Sequence, residues 1–293
     1  MINKYLKLET MNISVSKIGA ELQSIVANRR EYLWQGDPEF WGRRAPILFP
    51  IVGKLADDKL RIDGHEYTMK QHGFARDTEF VEQDGWYVIA RRNDEAIQYP
   101  YDFDLRVRYT VDGNTLTCNW QVTNRGDGTM YFQIGAHPAF LLPEYDAKDV
   151  IHGYIQCYDA ENNIVSPMVF STLVNGLRAH YGQPKTLLND KGILALIDTT
   201  FADDAILIEA HQVAKVTLFD KQGKRVLTVS CQQADAFGLW APNKPGCPFV
   251  CIEPWCGIAD NAGFKGDISE RDCIHSLEPG KNFEFCYSIT LNF

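Results

Sequence analysis

The sequence predicts an all-β fold, namely a large antiparallel β-sandwich with a concave face. Short apolar or alternating segments recur along its 293 residues, and Gly, Pro, Asn and Asp separate them, which is the pattern of strands joined by turns. Helical periodicity is scarce and never extends beyond a short turn. These two observations favour a sandwich or barrel of many short strands over a fold that mixes helices and sheets.

The predicted strands follow one another along the whole chain. In order they are residues 5–8, 12–15, 22–27, 86–91, 105–111, 115–123, 130–135, 151–158, 205–209, 215–219, 226–231, 249–252 and 283–293. The pair Gly113-Asn114 predicts a hairpin, and the looser turn at 124–128 predicts a second one. Residues 177–197 are rich in Gly, Pro and Asn, which predicts loops with one edge strand at most.

Composition and charge limit the classes of partner. The chain has a net charge of −9 and an isoelectric point near 5.3, and its basic residues cluster only in pairs. Because nucleic acid binds a basic face, we expect no nucleic-acid partner. The sequence shows no secretion signal and no apolar run near the roughly 20 residues that span a bilayer, which predicts a cytoplasmic protein without a membrane partner. No linker divides the chain, so residues 1–293 are expected to form a single domain.

The eight cysteines are too dilute for a disulfide framework and are expected to be reduced thiols. Four of them and one histidine cluster near the end of the chain: Cys247, Cys251, Cys256, Cys273 and His275. The spacings lack the paired Cys-x-x-Cys geometry of structural zinc sites, so we expect small packing residues and no metal.

Glu253 occupies the most demanding position. It lies between the apolar segment 249–252 and Pro254, which cannot donate to a β-ladder, so we expect the chain to leave the sheet there. With Trp240 and Trp255 on either side, the carboxylate is expected at the mouth of a site, where burial raises carboxyl pKa values. Trp240 is a candidate substrate contact, although aromatic rings serve a core equally well. The plainer interpretation of Glu253 is a turn cap or a surface ion pair.

His137 has surroundings similar to those of Glu253. It follows an apolar strand and precedes Pro138, so it also emerges where a strand stops. A carboxylate and an imidazole that face each other across a cleft can act as general base and general acid. The alternative is a half-buried histidine whose hydrogen bonds are satisfied.

His72 and Arg76 belong to one segment, residues 71–76. Gly73 permits a close backbone approach, so both side chains can turn toward a ligand. The alternatives are a loop histidine that bonds a backbone carbonyl and a surface ion pair of Arg76 with Asp77 or Glu79.

Two further candidates begin apolar segments. Arg43 and Arg44 introduce the run 45–53, and arginine offers a fork of donors that suits sugar hydroxyls or a phosphate. Asp203 and Asp204 precede the predicted strand 205–209. Since neighbouring side chains of a strand point to opposite faces, at most one of these two carboxylates can serve a site.

Taken together, these segments resemble the galactose mutarotase-like superfamily, the aldose 1-epimerases, and most closely its LacX-like branch. The matching segments occur in the family's order over nearly the whole chain, and their joint occurrence makes the likeness specific. They are residues 19–24 (GAELQS), 41–53 (WGRRAPILFPIVG), 71–76 (QHGFAR), 135–140 (GAHPAF), 201–206 (FADDAI) and 251–257 (CIEPWCG).

The resemblance implies a galactose mutarotase-like supersandwich with a concave sugar-binding face and neither metal nor organic cofactor. It implies that Glu253 takes the proton of the anomeric hydroxyl and that His137 donates one to the ring oxygen. The ring then opens, the C1–C2 bond rotates, and the reverse transfers close the other anomer.

The same comparison suggests the residues that hold the sugar. His72 resembles the family's second histidine, Asp204 resembles the acceptor of a sugar hydroxyl, and Arg44 and Arg76 resemble substrate contacts. The galactose-type branch has longer motifs around both histidines, so a preference for galactose is not implied. A hexose-6-phosphate branch uses a basic pocket, which the arginines together with Lys54 could form.

The expected function is therefore an aldose 1-epimerase that acts on a free or phosphorylated aldose, as a monomer or homodimer. The alternatives are a hexose-6-phosphate 1-epimerase and a carbohydrate-binding protein without turnover. A glycoside hydrolase or lyase is less favoured. A hydrolase needs a second carboxylate about 5–10 Å from Glu253, and Asp204 is the only good candidate. No esterase, Walker or zincin motif is present.

Overall fold

The computed structural model describes residues 11–92, 99–166, 168–179, 189 and 191–292, which form strands joined by turns. The first strands are β1 (Asn12–Val15), β2 (Leu22–Ala27), β3 (Arg30–Glu31), β4 (Ile47–Leu48), β5 (Lys59–Ile62), β6 (His65–Thr68), β7 (Val81–Gln83), β8 (Trp86–Arg91), β9 (Phe103–Asp112), β10 (Thr115–Asn124), β11 (Met130–Phe132) and β12 (Ile134–Ala136). They are followed by β13 (Ala139–Leu141), β14 (Gly153–Tyr158), β15 (Ser171–Val174), β16 (Leu177–Ala179), β17 (Ile193–Leu196), β18 (Ile206–Ile208), β19 (Lys215–Phe219), β20 (Arg225–Ser230), β21 (Ala236–Trp240), β22 (Phe249–Cys256), β23 (His275–Leu277) and β24 (Asn282–Leu291).

Helical structure in the described residues is limited to short 3₁₀ turns. These are Ala56–Asp58, Ala75–Asp77 and Ile268–Glu270. None of the helices found in these ranges has the length and apolarity to cross a membrane. The prediction of an all-β fold is confirmed.

Two large antiparallel sheets dominate the fold. One has nine strands in the order β17-β14-β19-β20-β24-β10-β9-β8-β7, and the other has eight, in the order β16-β15-β18-β21-β22-β12-β4 with β13 also beside β22. The small sheets β1-β2-β3, β5-β6 and β11-β23 flank them. The predicted antiparallel sandwich is therefore confirmed.

Side-chain alternation in β22 separates a core face from an open face. Val250 and Ile252 pack into the core that also buries Trp120 and Phe285 of the nine-stranded sheet. Because successive side chains of a strand point to opposite faces, residues 251, 253 and 255 lie on the other face of the eight-stranded sheet. That face holds the candidate site.

Most predicted strands are found within a few residues of their expected bounds. The segments 12–15, 22–27, 86–91 and 215–219 agree with the structure, and the two residues 113–114 connect β9 to β10 as a hairpin. The predicted strand 5–8 lies outside the described residues. Strands β3, β5, β6, β7, β13, β15, β21 and β23 were not predicted, and each is only two to five residues long. Residues 177–197 contain two edge strands, β16 and β17, where at most one was expected.

Two other expectations need correction. The turn at 124–128 does not form a hairpin, since β10 pairs with β9 and β24 while β11 pairs with β23. The predicted strand 130–135 divides at Gln133, whose side chain is buried and accepts a hydrogen bond from the Val52 N–H. This division sends β11 and β12 into different sheets.

The expectation that the chain leaves the sheet at Glu253 is also wrong, since β22 runs on through Pro254 to Cys256. The edge partner of β22 changes here, with β13 opposite residues 249–251 and β12 opposite 255–256. Ile252 donates to the Pro138 carbonyl on that edge, and alternate residues share an edge. The missing N–H of Pro254 therefore falls in the gap between β12 and β13, where no ladder partner needs it.

Candidate active site

Glu253 lies in the middle of β22, and only 1% of its surface is exposed. Its neighbour across the ladder to β21 is Gly238. Phe237 and Leu239 of β21 enter the core, so Gly238 and Trp240 share the open face with Glu253. A Cβ at position 238 would lie 3.1 Å from the Trp255 indole and 3.4 Å from the Glu253 Cβ, so glycine leaves room chiefly for the indole. The carboxylate is more deeply buried than the strand-end position expected from the sequence.

His137 lies in the connection between β12 and β13, as expected where a strand stops. Its backbone N–H donates to the Pro46 carbonyl, and its Nε2 lies 3.3 Å from Oε2 of Glu253. The ring of Trp41 stacks on the imidazole at 4.7 Å between centroids, and Trp240 meets it edge-on at 5.7 Å. The fold thus brings together the two groups predicted to be catalytic and walls them with aromatic rings.

Burial shifts the pKa values of the two groups in opposite directions. It raises the pKa of Glu253 well above the ordinary carboxyl value, and the charge of Asp204 adds to that rise. The nearby indole N–H of Trp255 offsets part of it, although Nε1 meets no acceptor at hydrogen-bond geometry. Burial lowers the pKa of His137 to about 3, and the charges of Arg76 and Arg43 act in the same direction. Desolvation therefore opposes both charged forms when each is taken alone.

Several buried polar atoms in the site have no hydrogen-bond partner among the described residues. They are Oε2 of Glu253, Nδ1 of His137 and Nε1 of Trp255. Buried polar groups are normally satisfied, because an unpaired donor or acceptor costs about 1–3 kcal/mol. A ligand with several hydroxyl groups can satisfy these atoms.

His72 approaches the pair from the loop after β6. Its ring centroid is 5.5 Å from that of His137. The Gly53 N–H donates to Nδ1 at 3.1 Å, so the hydrogen of the neutral ring is on Nε2. Burial, together with the charges of His137 and the nearby arginines, holds the pKa of His72 well below its ordinary value. The residue is therefore a neutral imidazole whose Nε2 carries the hydrogen and lies 3.3 Å from the side-chain amide of Gln71.

The loop reaches this position through two consecutive residues in the left-handed region. The φ angles are +67° at His72 and +70° at Gly73. A Cβ at position 73 would lie 2.2 Å from the Phe49 carbonyl oxygen, so only glycine fits there.

The two arginines predicted to contact the substrate, Arg76 and Arg44, have different environments in the structure. Arg76 donates from Nη2 to the Gln71 carbonyl at 2.6 Å, while its buried Nε forms no hydrogen bond. Burial lowers the pKa of Arg76 to about 10, and the charge of Arg43 contributes to the shift. The charge of Arg76 lowers the pKa of both His72 and His137, so Arg76 lies within electrostatic reach of both histidines.

Arg44 is not brought to the site. Its guanidinium donates to the Gln23 carbonyl at 2.9 Å and packs against Gly36. Arg43, together with Arg76, instead lowers the pKa of His72 and His137 by its charge. Arg43 also pairs with Asp77 at 2.7 Å.

Asp204 lies in the turn before β18, half-buried, and its Oδ1 accepts a hydrogen bond from the Ala205 N–H at 2.8 Å. It is close enough to Glu253 to raise that carboxyl pKa, whereas Asp203 is exposed. Of the two adjacent carboxylates, Asp204 is therefore the one that lies near Glu253.

Sequence reasoning weighed Arg43 beside Arg44 but took Arg44 as the substrate contact, and it did not select Trp41, although all three belong to the segment 41–53 that it singled out. Trp255 lies on the same face as Glu253 because β22 continues past Pro254. Recognising that continuation would have assigned Trp255 to the site.

Known proteins resemble this chain over almost its full length. The family model for aldose 1-epimerases matches residues 6–290. The plasmid-encoded protein LacX of Lactococcus lactis subsp. lactis is 30% identical over 98% of both chains. A galactose mutarotase related enzyme from Lactobacillus acidophilus is 31% identical, with a TM-score of 0.83 over 97% of this chain and 95% of that one. A galactose mutarotase-like protein from Lactobacillus casei ATCC 334 is 26% identical, with a TM-score of 0.85 over 97% of each.

The loop geometry leads to a stability prediction. Replacing Gly73 with Ala should lower the free energy of unfolding by more than about 2 kcal/mol, because the new Cβ collides with the Phe49 carbonyl. Gly64→Ala is the matched control, since Gly64 has φ +78° with no atom within 4 Å of a Cβ, and it should cost only about 1 kcal/mol of backbone strain. Urea denaturation measures both, and equal costs would contradict the close approach.

Proposed function

Because the chain belongs to the aldose 1-epimerase family, we propose that it is a mutarotase, an isomerase that interconverts the α and β anomers of an aldose. The observation that carries the proposal is the 3.3 Å separation of His137 Nε2 and Glu253 Oε2 in a buried, aromatic-walled site. An acid and a base so close can both reach the hydroxyl and ring oxygens that share the anomeric carbon.

The reaction needs one proton removed and one added. The Glu253 carboxylate accepts the proton of the anomeric hydroxyl, and the freed electron pair forms the C1=O1 double bond as the C1–O5 bond breaks. O5 takes a proton from the His137 imidazolium. Rotation about C1–C2 and the reverse transfers give the other anomer, so the protein ends the cycle unchanged.

The pair holds a single transferable proton throughout this cycle. A carboxylate with an imidazolium precedes ring opening, and a carboxylic acid with a neutral imidazole follows it. The pair has no net charge in either state. Burial disfavours an isolated charge, so it is compatible with both states of the pair. Burial favours the uncharged state, which corresponds to the open-chain intermediate.

The surrounding residues would hold the sugar. On this proposal the Nε2–H of His72 donates to a sugar oxygen, and Asp204 accepts from a hydroxyl. The rings of Trp41 and Trp240 supply apolar surface for the sugar's carbon face. The unpaired indole N–H of Trp255 would donate to an oxygen near C1.

A phosphorylated aldose is a second candidate substrate. Arg43 and Arg76 both act electrostatically on the two histidines, and the Nε of Arg76 forms no hydrogen bond, although it lies 4.0 Å from the Asp77 carboxylate. Guanidinium groups suit phosphate oxygens. Acceleration seen only with glucose 6-phosphate, and weakened by Arg43→Gln, would select this substrate over free sugars.

The proposal predicts the effect of removing either partner. Glu253→Gln and His137→Asn keep the side-chain shapes but remove the base and the acid, so each should slow anomer exchange by about 10²- to 10⁴-fold. Polarimetry and NMR saturation exchange on α-glucose, α-galactose and glucose 6-phosphate measure the rates. Glu284→Gln, an exposed carboxylate on β24, is the control and should retain the wild-type rate.

The opposite result would select another function. If wild-type protein binds an aldose but exchanges its anomers no faster than water does, the chain is a carbohydrate-binding protein. If both variants keep the wild-type rate, the acid and base lie elsewhere.

The pH dependence is a separate prediction. The active pair carries one proton; it gains a second only near the lowered pKa of His137, about 3, and loses the last only above the ordinary carboxyl range. Because the second proton binds only near pH 3, we expect kcat/KM not to decline as the pH falls through 6.5, the ordinary histidine pKa. An acid-side decline near pH 6.5 would contradict the assignment.

A further inference from the structure

The indole of Trp255 leans along β22 toward Glu253. In the ladder to β21, Trp255 lies opposite Ala236, whereas Glu253 lies opposite Gly238. The Trp255 ring nevertheless reaches Gly238, since its Cζ2 would lie 3.1 Å from a Cβ added there. That same Cβ would lie 3.4 Å from the Cβ of Glu253. The ring therefore extends back along the strand to the neighbourhood of the Glu253 side chain.

A glycine on each neighbouring strand makes room for this ring. On β12, Gly135 lies opposite Trp255, and a Cβ there would lie 2.8 Å from Cδ1 of the indole. On β21, Gly238 leaves room for Cζ2. Because Cδ1, Nε1, Cε2 and Cζ2 follow one another around an indole, the two glycines flank its nitrogen-bearing edge. That edge therefore crosses β22 next to Glu253.

The N–H on this edge is enclosed by the protein. Trp255 is 2% exposed and belongs to an apolar cluster that includes Val52, Leu207 and Ile258, while the His72 ring lies 6.3 Å away between centroids. Within the part of the chain that the structure describes, Nε1 meets no acceptor at hydrogen-bond geometry. Since bulk water cannot satisfy a buried donor, a neighbouring group must do so.

The Glu253 carboxylate offers the matching acceptor. Its Oε2 is also buried and has no hydrogen-bond partner among the described residues, although Nε2 of His137 lies 3.3 Å away. Burial and the charge of Asp204 raise the pKa of this carboxyl, and the nearby indole N–H lowers it. The adjacent Cys251 thiol is protonated, because burial raises its pKa well above the usual range. A buried donor and a buried acceptor, both unpaired, thus lie near each other.

From this geometry we propose that Trp255 is a positioning residue whose indole N–H binds the Glu253 carboxylate and holds it in the ionised form. The inference rests on the proposed pairing of Glu253 with His137. Because the pair shares one proton, a donor to the carboxylate keeps that proton on the imidazole, which is the state that precedes ring opening. Once Glu253 has taken the anomeric proton, the N–H is released to the sugar oxygen near C1.

The role is needed because other surroundings favour the opposite state. Burial and the charge of Asp204 favour a protonated Glu253, and the charges of Arg43 and Arg76 favour a neutral imidazole beside it. A hydrogen bond to a charged group shifts such an equilibrium by about 10- to 100-fold. The bond from Trp255 therefore maintains a population of the pair that is ready to open the ring.

Trp255→Phe and Trp120→Phe form a matched pair of variants that test the role. Both remove a buried indole N–H that has no partner among the described residues, but Trp120 packs against Phe285 in the core. NMR exchange on the aldose that wild type accelerates most gives kcat and KM. Infrared spectra of protein with ¹³C-labelled glutamate give the carboxylic acid band of Glu253, identified by its absence in Glu253→Gln.

The two variants should differ in both measurements. We expect Trp255→Phe to lower kcat about 10- to 100-fold with KM little changed, and to strengthen the acid band, because Glu253 then keeps the shared proton. Trp120→Phe should match wild type in kcat and in the band. Gly135→Ala keeps the N–H but displaces its ring edge, so it should also strengthen the band. Thermal unfolding establishes that each variant is folded.

An acid band that is unchanged in folded Trp255→Phe would overturn the inference, even if kcat falls, because the residue would then have only a packing role. An equal change of the band in Trp120→Phe would overturn it as well. The infrared comparison needs no turnover. If wild-type protein exchanges no anomers, the proposed function fails, while the band still shows whether Trp255 holds Glu253 ionised.

Discussion

A carboxylate held in the middle of a fully buried strand is the constraint on which the site depends. Strand alternation places the buried Glu253 on the open face of the eight-stranded sheet, opposite Gly238 of β21. Burial makes an isolated charge there costly, so the carboxylate needs a neutral form or a close cationic partner. The connection between β12 and β13 delivers His137 to 3.3 Å and supplies that partner.

The interruption that admits His137 also explains Pro254. β22 loses its ladder partner on one edge between β13 and β12, and the chain at this gap carries His137 and Pro138. Proline at position 254 requires no ladder partner, so the gap costs no backbone hydrogen bond there. The same gap in the ladder therefore accommodates His137 and tolerates the proline that directly follows Glu253.

The fold was more predictable than the site. Alternating segments such as 115–123 and the turn at 113–114 specify strands locally, and they are found as expected. The prediction from Pro254 that the chain leaves the sheet at Glu253 was wrong. Proline is tolerated where the neighbouring strand is interrupted, and only the tertiary structure shows where that is. The choice between Arg43 and Arg44 was equally inaccessible, since adjacent residues of a loop have no fixed alternation.

The central claim is that Glu253 and His137 act as one proton-exchanging unit. The most direct test compares anomer exchange by Glu253→Gln, His137→Asn and the double variant, measured on the aldose that wild type accelerates most. If the two groups form a unit, the double variant should be about as slow as the slower single variant, because removing one partner already disables the other. Losses that multiply in the double variant would show independent roles and contradict the account.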